Sequence, residues 1–274
     1  MMDPTRGVLF PSRLPAFHRF APPHGAAELV QWFWIPEWDL EPGVVSRHVV
    51  ISYPALNLVV EPHGVSLVGA TTRVGEREVH GRSWAVGALL KPAAVPTLTS
   101  DARSLVDTAV PFDAIDLHGH VVAAMEGRRN RLENAVGVFG RWLSVRAGVV
   151  PPAARHANAL VEVLMGDDGA NTPAEAAARL TVSTRTLERM THRYIGIPPA
   201  AIIRRRRLQV AAQRIREKPE LPLAAIAADL GYADHAHLTA EFRSVLGFKP
   251  SVYREESSCA PAGDSPRATY RPHG

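Results

Sequence analysis

The apolar positions of this 274-residue chain change their period once, a little before its middle. From Leu29 to Leu90 they come in short runs: Trp32-Phe33-Trp34-Ile35, His48-Val49-Val50-Ile51, Leu56-Asn57-Leu58-Val59-Val60, Val65-Ser66-Leu67-Val68 and Trp84-Ala85-Val86-Gly87-Ala88-Leu89-Leu90. Pro, Gly and charged residues stand between the runs. Short β-rich segments at near-regular spacing predict the strands of a small sandwich or barrel. After Pro111 the spacing turns helical. Leu132, Ala135, Val136, Phe139, Trp142 and Leu143 share one face of a helix within 112–146. Val149-Val150-Pro151-Pro152 ends that stretch, because paired prolines cannot continue a helix. The pattern predicts an α+β chain: a β-rich half with a helical extension over 1–148, an all-α half over 151–256, and a patternless Ser/Pro/Ala/Gly tail, disordered, over 257–274.

The second half reads as helices with their own start and stop signals. Residues 153–165 place Ala157, Leu160, Val161 and Leu164 on one face before the turn Gly166-Asp167-Asp168-Gly169. Thr172-Pro173-Ala174-Glu175 is a capping box with proline at the first helical position, in which Glu175 returns the hydrogen bond. Ser183 is placed to cap the next helix, which buries Leu187, Met190 and Tyr194 and leaves Arg185, Glu188, Arg189 and His192 outward. Gly196 stops it. Further on, Pro222 opens a helix with Ile226, Ala227 and Leu230 inward, and Gly231 supplies a turn. Asp234 then caps a helix that buries Leu238 and Phe242 and leaves His235, His237, Thr239 and Arg243 outside. Between the two pairs, residues 200–218 form one long helix carrying Arg204-Arg205-Arg206-Arg207, a run longer than one turn. At least two of these must point away from any core.

The two pairs are copies. Ser183/Asp234, Leu187/Leu238, Gly196/Gly247 and Pro199/Pro250 all lie 51 residues apart. A repeated helical unit of this length is one supersecondary device used twice. Charge says which device. Residues 1–150 hold 14 Lys and Arg against 14 Asp and Glu, whereas 171–254 hold 14 against 7, an asymmetry that the whole-chain net charge of +4 conceals. A neutral half joined to a basic half is expected where only the second meets a polyanion. A linker helix of about 18 residues spans about 27 Å, which suits two recognition helices held about one duplex turn apart. The pattern points to a double helix-turn-helix for double-stranded DNA.

These residues also carry a resemblance. Ile226-Ala227-Ala228-Asp229-Leu230-Gly231-Tyr232-Ala233-Asp234, with Phe242-Arg243 and Gly247-Phe248-Lys249-Pro250-Ser251-Val252-Tyr253-Arg254, resembles the second helix-turn-helix signature of AraC/XylS-type transcription regulators. Ser183 to Arg189 through Gly196, with Arg207-Leu208, resembles the first, and the likeness covers about 153–254. It implies base-facing positions at Arg185, Glu188 and Arg189, and at His235, Ala236, His237 and Ala240. Arg204 and Arg205, if they contact phosphate, should serve any duplex alike. RNA polymerase and a second copy of the chain are partners it implies. Three residues depart from the pattern. Thr181 replaces a turn glycine, which should strain the turn by about 1 kcal/mol. Thr191 replaces a core phenylalanine and should loosen the first unit, and Ala240 replaces a frequent arginine.

The β-rich half, from about Phe17 to Phe112, is similar to the sensory domains that precede such units, with its Trp-Phe-Trp segment and Gly87-Ala88-Leu89-Leu90-Lys91-Pro92. A cupin-like fold and a small-molecule effector are what that likeness implies. Trp32, Trp34 and Trp84 are candidates for a pocket wall and Asn57 for a polar anchor; the core explains the tryptophans, and a turn or edge position Asn57, as well. A dimerisation or protein-partner module with no small ligand, with Phe139 and Trp142 in its seam, is the alternative. His48, His63 and His80 lack the spacing of a metal site, so no metal and no cofactor are expected. The one cysteine, Cys259, lies in the tail, and no phosphate-cradling loop or nucleophile elbow occurs, which argues against an enzyme. No run of 18 apolar residues and no signal-peptide pattern is present, so a cytoplasmic protein without a membrane partner is expected.

Overall fold

The computed structural model describes residues 16–50, 53–72, 75–166, 168–258 and 270–271. In the first half, β1 (Ala16–Phe20), β2 (Val30–Asp39), β3 (Val45–Val50), β4 (Asn57–Glu61), β5 (Gly64–Val68), β6 (Gly75–His80), β7 (Arg82–Trp84), β8 (Val86–Leu90) and β9 (Ala109–Pro111) precede two helices, α1 (Ile115–Glu126) and α2 (Arg131–Ala147). The main sheet runs β1-β2-β8-β4-β5-β9, with β7 also on β2, while β3 and β6 pair as a separate two-stranded sheet. Among the described residues the path is open, and the two-stranded sheet is tied back where Trp38 Nε1 donates to His80 O at 3.2 Å. Of the tail predicted to be disordered, Tyr270–Arg271 form β10, parallel to β1. Residues 259–269 and 272–274 lie outside the described residues.

Period-two alternation sorts the sheet's faces. Phe33 and Ile35 of β2, Leu58 and Val60 of β4, and Val86, Ala88 and Leu90 of β8 are buried in one core with Leu117 and Val121 of α1 and Ala135, Val136, Phe139 and Leu143 of α2. The α2 face is the one that the spacing predicts, and Phe139 meets Phe33 edge-on at 5.3 Å. On the opposite face Trp32, Tyr53, Ala55 and Leu89 make a smaller cluster with Trp34 beside it.

The second half is helical: α3 (Pro152–Ala157), α4 (Ala159–Met165), α5 (Pro173–Arg179), α6 (Thr184–Tyr194), α7 (Pro199–Glu217), α8 (Leu223–Asp229), α9 (His235–Leu246) and α10 (Pro250–Ser258). The helix predicted over 153–165 is two helices meeting at Asn158. That side chain accepts from Ala93 N at 2.9 Å and donates to Glu28 O at 2.9 Å, so the β-rich half holds the junction. Helix α2 stops at Gly148, which takes φ +55°, and the proline pair expected to end it opens α3 instead; neither divides the core. Ala154, Leu160, Leu164, Leu187, Tyr194, Ile197, Ile202 and Ile203 belong to the same core as the sheet. A second core opens only at Leu208, inside α7, and closes on Ile226, Leu238, Phe242 and Tyr253.

Candidate nucleic-acid interface

Helices α6 and α9 are each started by a capping side chain. Ser183 Oγ accepts from Thr186 N at 3.1 Å, and Asp234 Oδ1 accepts from His237 N at 2.7 Å. Such caps satisfy one of the amides orphaned at a helix start, at about 1 kcal/mol each. The preceding turns match bond for bond. Thr181 N and Gly231 N donate to Ala178 O and Ala228 O, and Val182 N and Tyr232 N to Ala177 O and Ala227 O. The capping box at α5 differs in one bond: Thr172 Oγ1 accepts from Glu175 N as predicted, but the Glu175 carboxylate takes Asn171 N at 2.8 Å.

With Leu187 buried, α6 leaves Arg185, Glu188 and Arg189 exposed; His192 is half-buried, its Nδ1 3.4 Å from Gly196 O. In α9, Leu238 and Phe242 are buried, His235, Ala236, His237, Ala240 and Arg243 are exposed and Thr239 is half-buried. His237 stands edge-on to the Tyr232 ring at 5.3 Å. All the base-facing positions implied by the resemblance are therefore on open helix faces.

The arginine run is placed differently from the expectation. Arg204 is exposed but pairs with Glu241 of α9, Nε to Oε2 at 3.4 Å, and Glu241 Oε1 also accepts from Tyr232 Oη at 2.7 Å. Arg205, expected to face phosphate, is only 4% exposed and donates to Thr71 Oγ1 of the β-rich half at 2.9 Å, so it is turned away from any duplex in this arrangement. Burial pulls its pKa down to about 10 against the attraction of Asp107, so it stays charged at neutral pH. Arg206 is equally buried and donates to Gly169 O at 2.6 Å, Ala170 O at 3.0 Å and Asn171 Oδ1 at 2.7 Å. Arg207 lies 3.7 Å over the Tyr232 ring. Four consecutive arginines thus tie α7 to four places. Nothing in their sequence signalled this, because the partners are backbone carbonyls and side chains distant along the chain.

The four ligand candidates of the β-rich half are not brought together. Trp34 Nε1 donates to Asn57 Oδ1 at 3.0 Å, so each satisfies the other, and the indole covers Gly87 so closely that a Cβ there would stand 2.0 Å from Trp34 Cε2. Trp32, edge-on to Tyr53 at 4.6 Å, lines a cavity of about 20 Å³ against Val161 and Met165 of α4. That is room for about one water molecule and too small for an effector. Trp84 instead lines a groove of about 920 Å³ with Trp38, Val79, Met125, Glu37 and Arg131, at the end of β2 and the α1–α2 turn. Arg131 Nη2 donates to Glu37 Oε2 at 2.9 Å, an ion pair that raises the Arg131 pKa. Sequence reasoning missed this groove, since its residues are spread from Ala16 to Arg131. The side chain of His48 lies outside the described residues. Among the described residues no three His, Cys, Asp or Glu side chains gather as a metal site, and no helix is long and apolar enough to cross a membrane.

Residues 176–256 match a helix-turn-helix domain family, and 18–111 match a domain family of unknown function, DUF6597. An AraC-like transcription regulator of Streptomyces antibioticus is 31% identical over 158 residues, 58% of this chain and 50% of that protein. A counterpart from Streptomyces lividans is 30% identical over the same length. The C-terminal half is a helix-turn-helix domain of the AraC type. The chain spans about half the length of the curated relatives it matches. Among solved structures, ToxT of Vibrio cholerae aligns with 81% of this chain and 97% of its own at 12% identity and a TM-score of 0.39.

Within the AraC-type domain the three departures have physical consequences. Thr181 takes φ +55°, the left-handed conformation that Gly231 takes at +71°. Thr191 is fully buried with Oγ1 donating to Glu188 O at 3.1 Å, where the second unit has Phe242 against Phe248 and Tyr253. The first unit makes up the missing ring by sharing the core of the sheet. Ala240 leaves the middle of the α9 face without a cation.

Proposed function

We propose that the chain is a sequence-specific DNA-binding transcription regulator that reads duplex DNA through α6 and α9. The observation that carries this reading is the paired design. Two helices begin with the same kind of cap, bury the same leucine, and leave Arg185 and Arg189, or His235, His237 and Arg243, on the open face. They are joined by a 19-residue helix, about 28 Å long. An arginine on such a face reads guanine with two hydrogen bonds, and Glu188 can accept from a cytosine amine. Asymmetric sites follow from α6 and α9 being chemically unlike.

Gel-shift titration on a selected duplex and a scrambled one tests this. Arg185→Ala is expected to weaken the selected duplex by about 1–3 kcal/mol and the scrambled one far less. Equal losses on both would remove direct readout by α6.

The β-rich half is proposed as the receiver of a small-molecule effector, and its groove of about 920 Å³ supports the role by size and by its mixed aromatic and charged lining. Trp84 is the ligand candidate retained there. A dimerisation seam through Phe139 has less support, since that ring is buried inside its own half. Calorimetry against metabolite pools, with Trp84→Ala as control, tests the groove. RNA polymerase contact and pairing of two copies belong to the same proposal and await reconstituted transcription.

A further inference from the structure

The two helix-turn-helix units are attached to the rest of the chain unequally. Leu187, Tyr194, Ile195, Ile197, Ile202 and Ile203 of the first unit lie in the core of the β-rich half, with Ala102 and Leu105 among its members. The second unit encloses its own core from Leu208 to Tyr253. The helix-ending glycines record the same difference. A Cβ at Gly196 would stand 2.5 Å from Ala102 O and 3.0 Å from Val106 Cγ2, whereas at Gly247 it would meet nothing within 4 Å. Arg205 is the charged contact of the docked side. It reaches out of α7 to Thr71 Oγ1, and Asp107, which accepts from both Thr72 N and Thr72 Oγ1, attracts it from the neighbouring loop.

We propose that Arg205, Thr71 and Asp107 form a latch that fixes the first helix-turn-helix unit to the β-rich half and thereby lowers affinity for duplex DNA. With the latch closed, the sheet, α6 and the first half of α7 move as one block, and only the second unit is free to adjust. Both recognition helices must register on one duplex, so a restraint on one of them costs binding. A duplex also competes directly for the latch, because phosphate offers the guanidinium the same charge as the Asp107 carboxylate. Opening the latch exposes that cation on α7. The proposal goes beyond DNA binding itself and depends on it only for the affinity arm of the test.

Thr71→Val removes the acceptor while keeping the shape. Asp107→Asn removes the charge at a residue whose φ of +57° asparagine also accepts. Each is expected to tighten binding of the full chain to its selected duplex about fivefold or more, the size of a modest coupling between sites. Neither should act in an Arg205→Met background, where there is nothing left to release. Unchanged or weaker binding by both variants overturns the latch, as does equal tightening in the Arg205→Met background, which would place the effect in the loop alone. Amide exchange without DNA is the second readout: faster exchange over residues 69–72 and 199–206 in Thr71→Val is expected, and unchanged exchange also refutes it. A wild-type chain that binds no selected duplex refutes the proposed function, and the exchange experiment still decides the contact.

Discussion

Thr181→Gly is expected to stabilise the protein, although it deletes a side chain from a surface turn. Thr181 sits at φ +55° between α5 and α6, and its side chain is exposed, so no burial is lost on removing it. A residue with a Cβ in the left-handed region costs roughly 1–2 kcal/mol, and branching at Cβ places Thr at the upper end. Glycine removes that cost but adds about 0.5–1 kcal/mol of backbone entropy to the unfolded chain. The difference leaves a gain of about 1–1.5 kcal/mol. For a chain of this size that is a rise in melting temperature of about 2–6 °C. The second unit supplies the reciprocal experiment. Gly231 holds the same turn at φ +71°, and a Cβ there would lie 3.7 Å from Asn171 Cβ, an ordinary contact. Gly231→Thr therefore isolates the backbone term and should lose about what Thr181→Gly gains. Urea and thermal denaturation of both variants and of the double exchange measure this. A Thr181→Gly protein no more stable than the parent, with Gly231→Thr equally tolerated, would refute the strain argument.

Arg206→Ala should destabilise by about 2–4 kcal/mol, because it strands two buried carbonyls and an amide oxygen that a charged donor now satisfies; a loss under about 0.5 kcal/mol in denaturant would mark it as a surface residue. Gly87→Ala should cost about 1–3 kcal/mol by driving the Trp34 indole off Asn57, with a change in tryptophan emission, and unchanged emission would contradict the packing. The Asn171 amide, with Arg179 helping, holds the Glu175 carboxyl below its ordinary range. A group depressed on folding contributes above its unfolded pKa, about 4.3, and loses the contribution as pH falls through its folded value. Glu175→Gln should accordingly lower the denaturation midpoint near neutral pH and match the parent once the pH has fallen below the folded pKa of Glu175. A midpoint difference that persists in acid would assign the loss to shape instead of charge.

The local rules were legible residue by residue. Thr172, Ser183 and Asp234 cap where their spacing to the next apolar run said they would, and Gly231 and Gly247 take the positive φ that turn and helix end require. The α2 face from Ala135 to Leu143, the strands over 57–68 and 86–90, and the outward set of Arg185, Arg189, His235 and His237 follow from period and charge alone. These signals act within a few residues, and their hydrogen bonds close inside the same element.

Partners far apart in the chain were decided only on folding. Four adjacent arginines read as one basic stripe, but tertiary contacts send Arg205 to Thr71, Arg206 to the carbonyls of 169–170 and Arg204 to Glu241. The proline pair at 151–152 looks like a domain boundary along the chain, yet the core passes it and breaks inside α7. Tryptophans 32, 34 and 84 look alike in sequence and face a cavity, a glycine and a groove. What the sequence alone determines is how each segment is built and which face of it is apolar, since propensity and periodicity are local. Which apolar faces merge into one core, and which charges are drawn into it, depends on burial and long-range hydrogen bonding, and these exist only once distant segments have met.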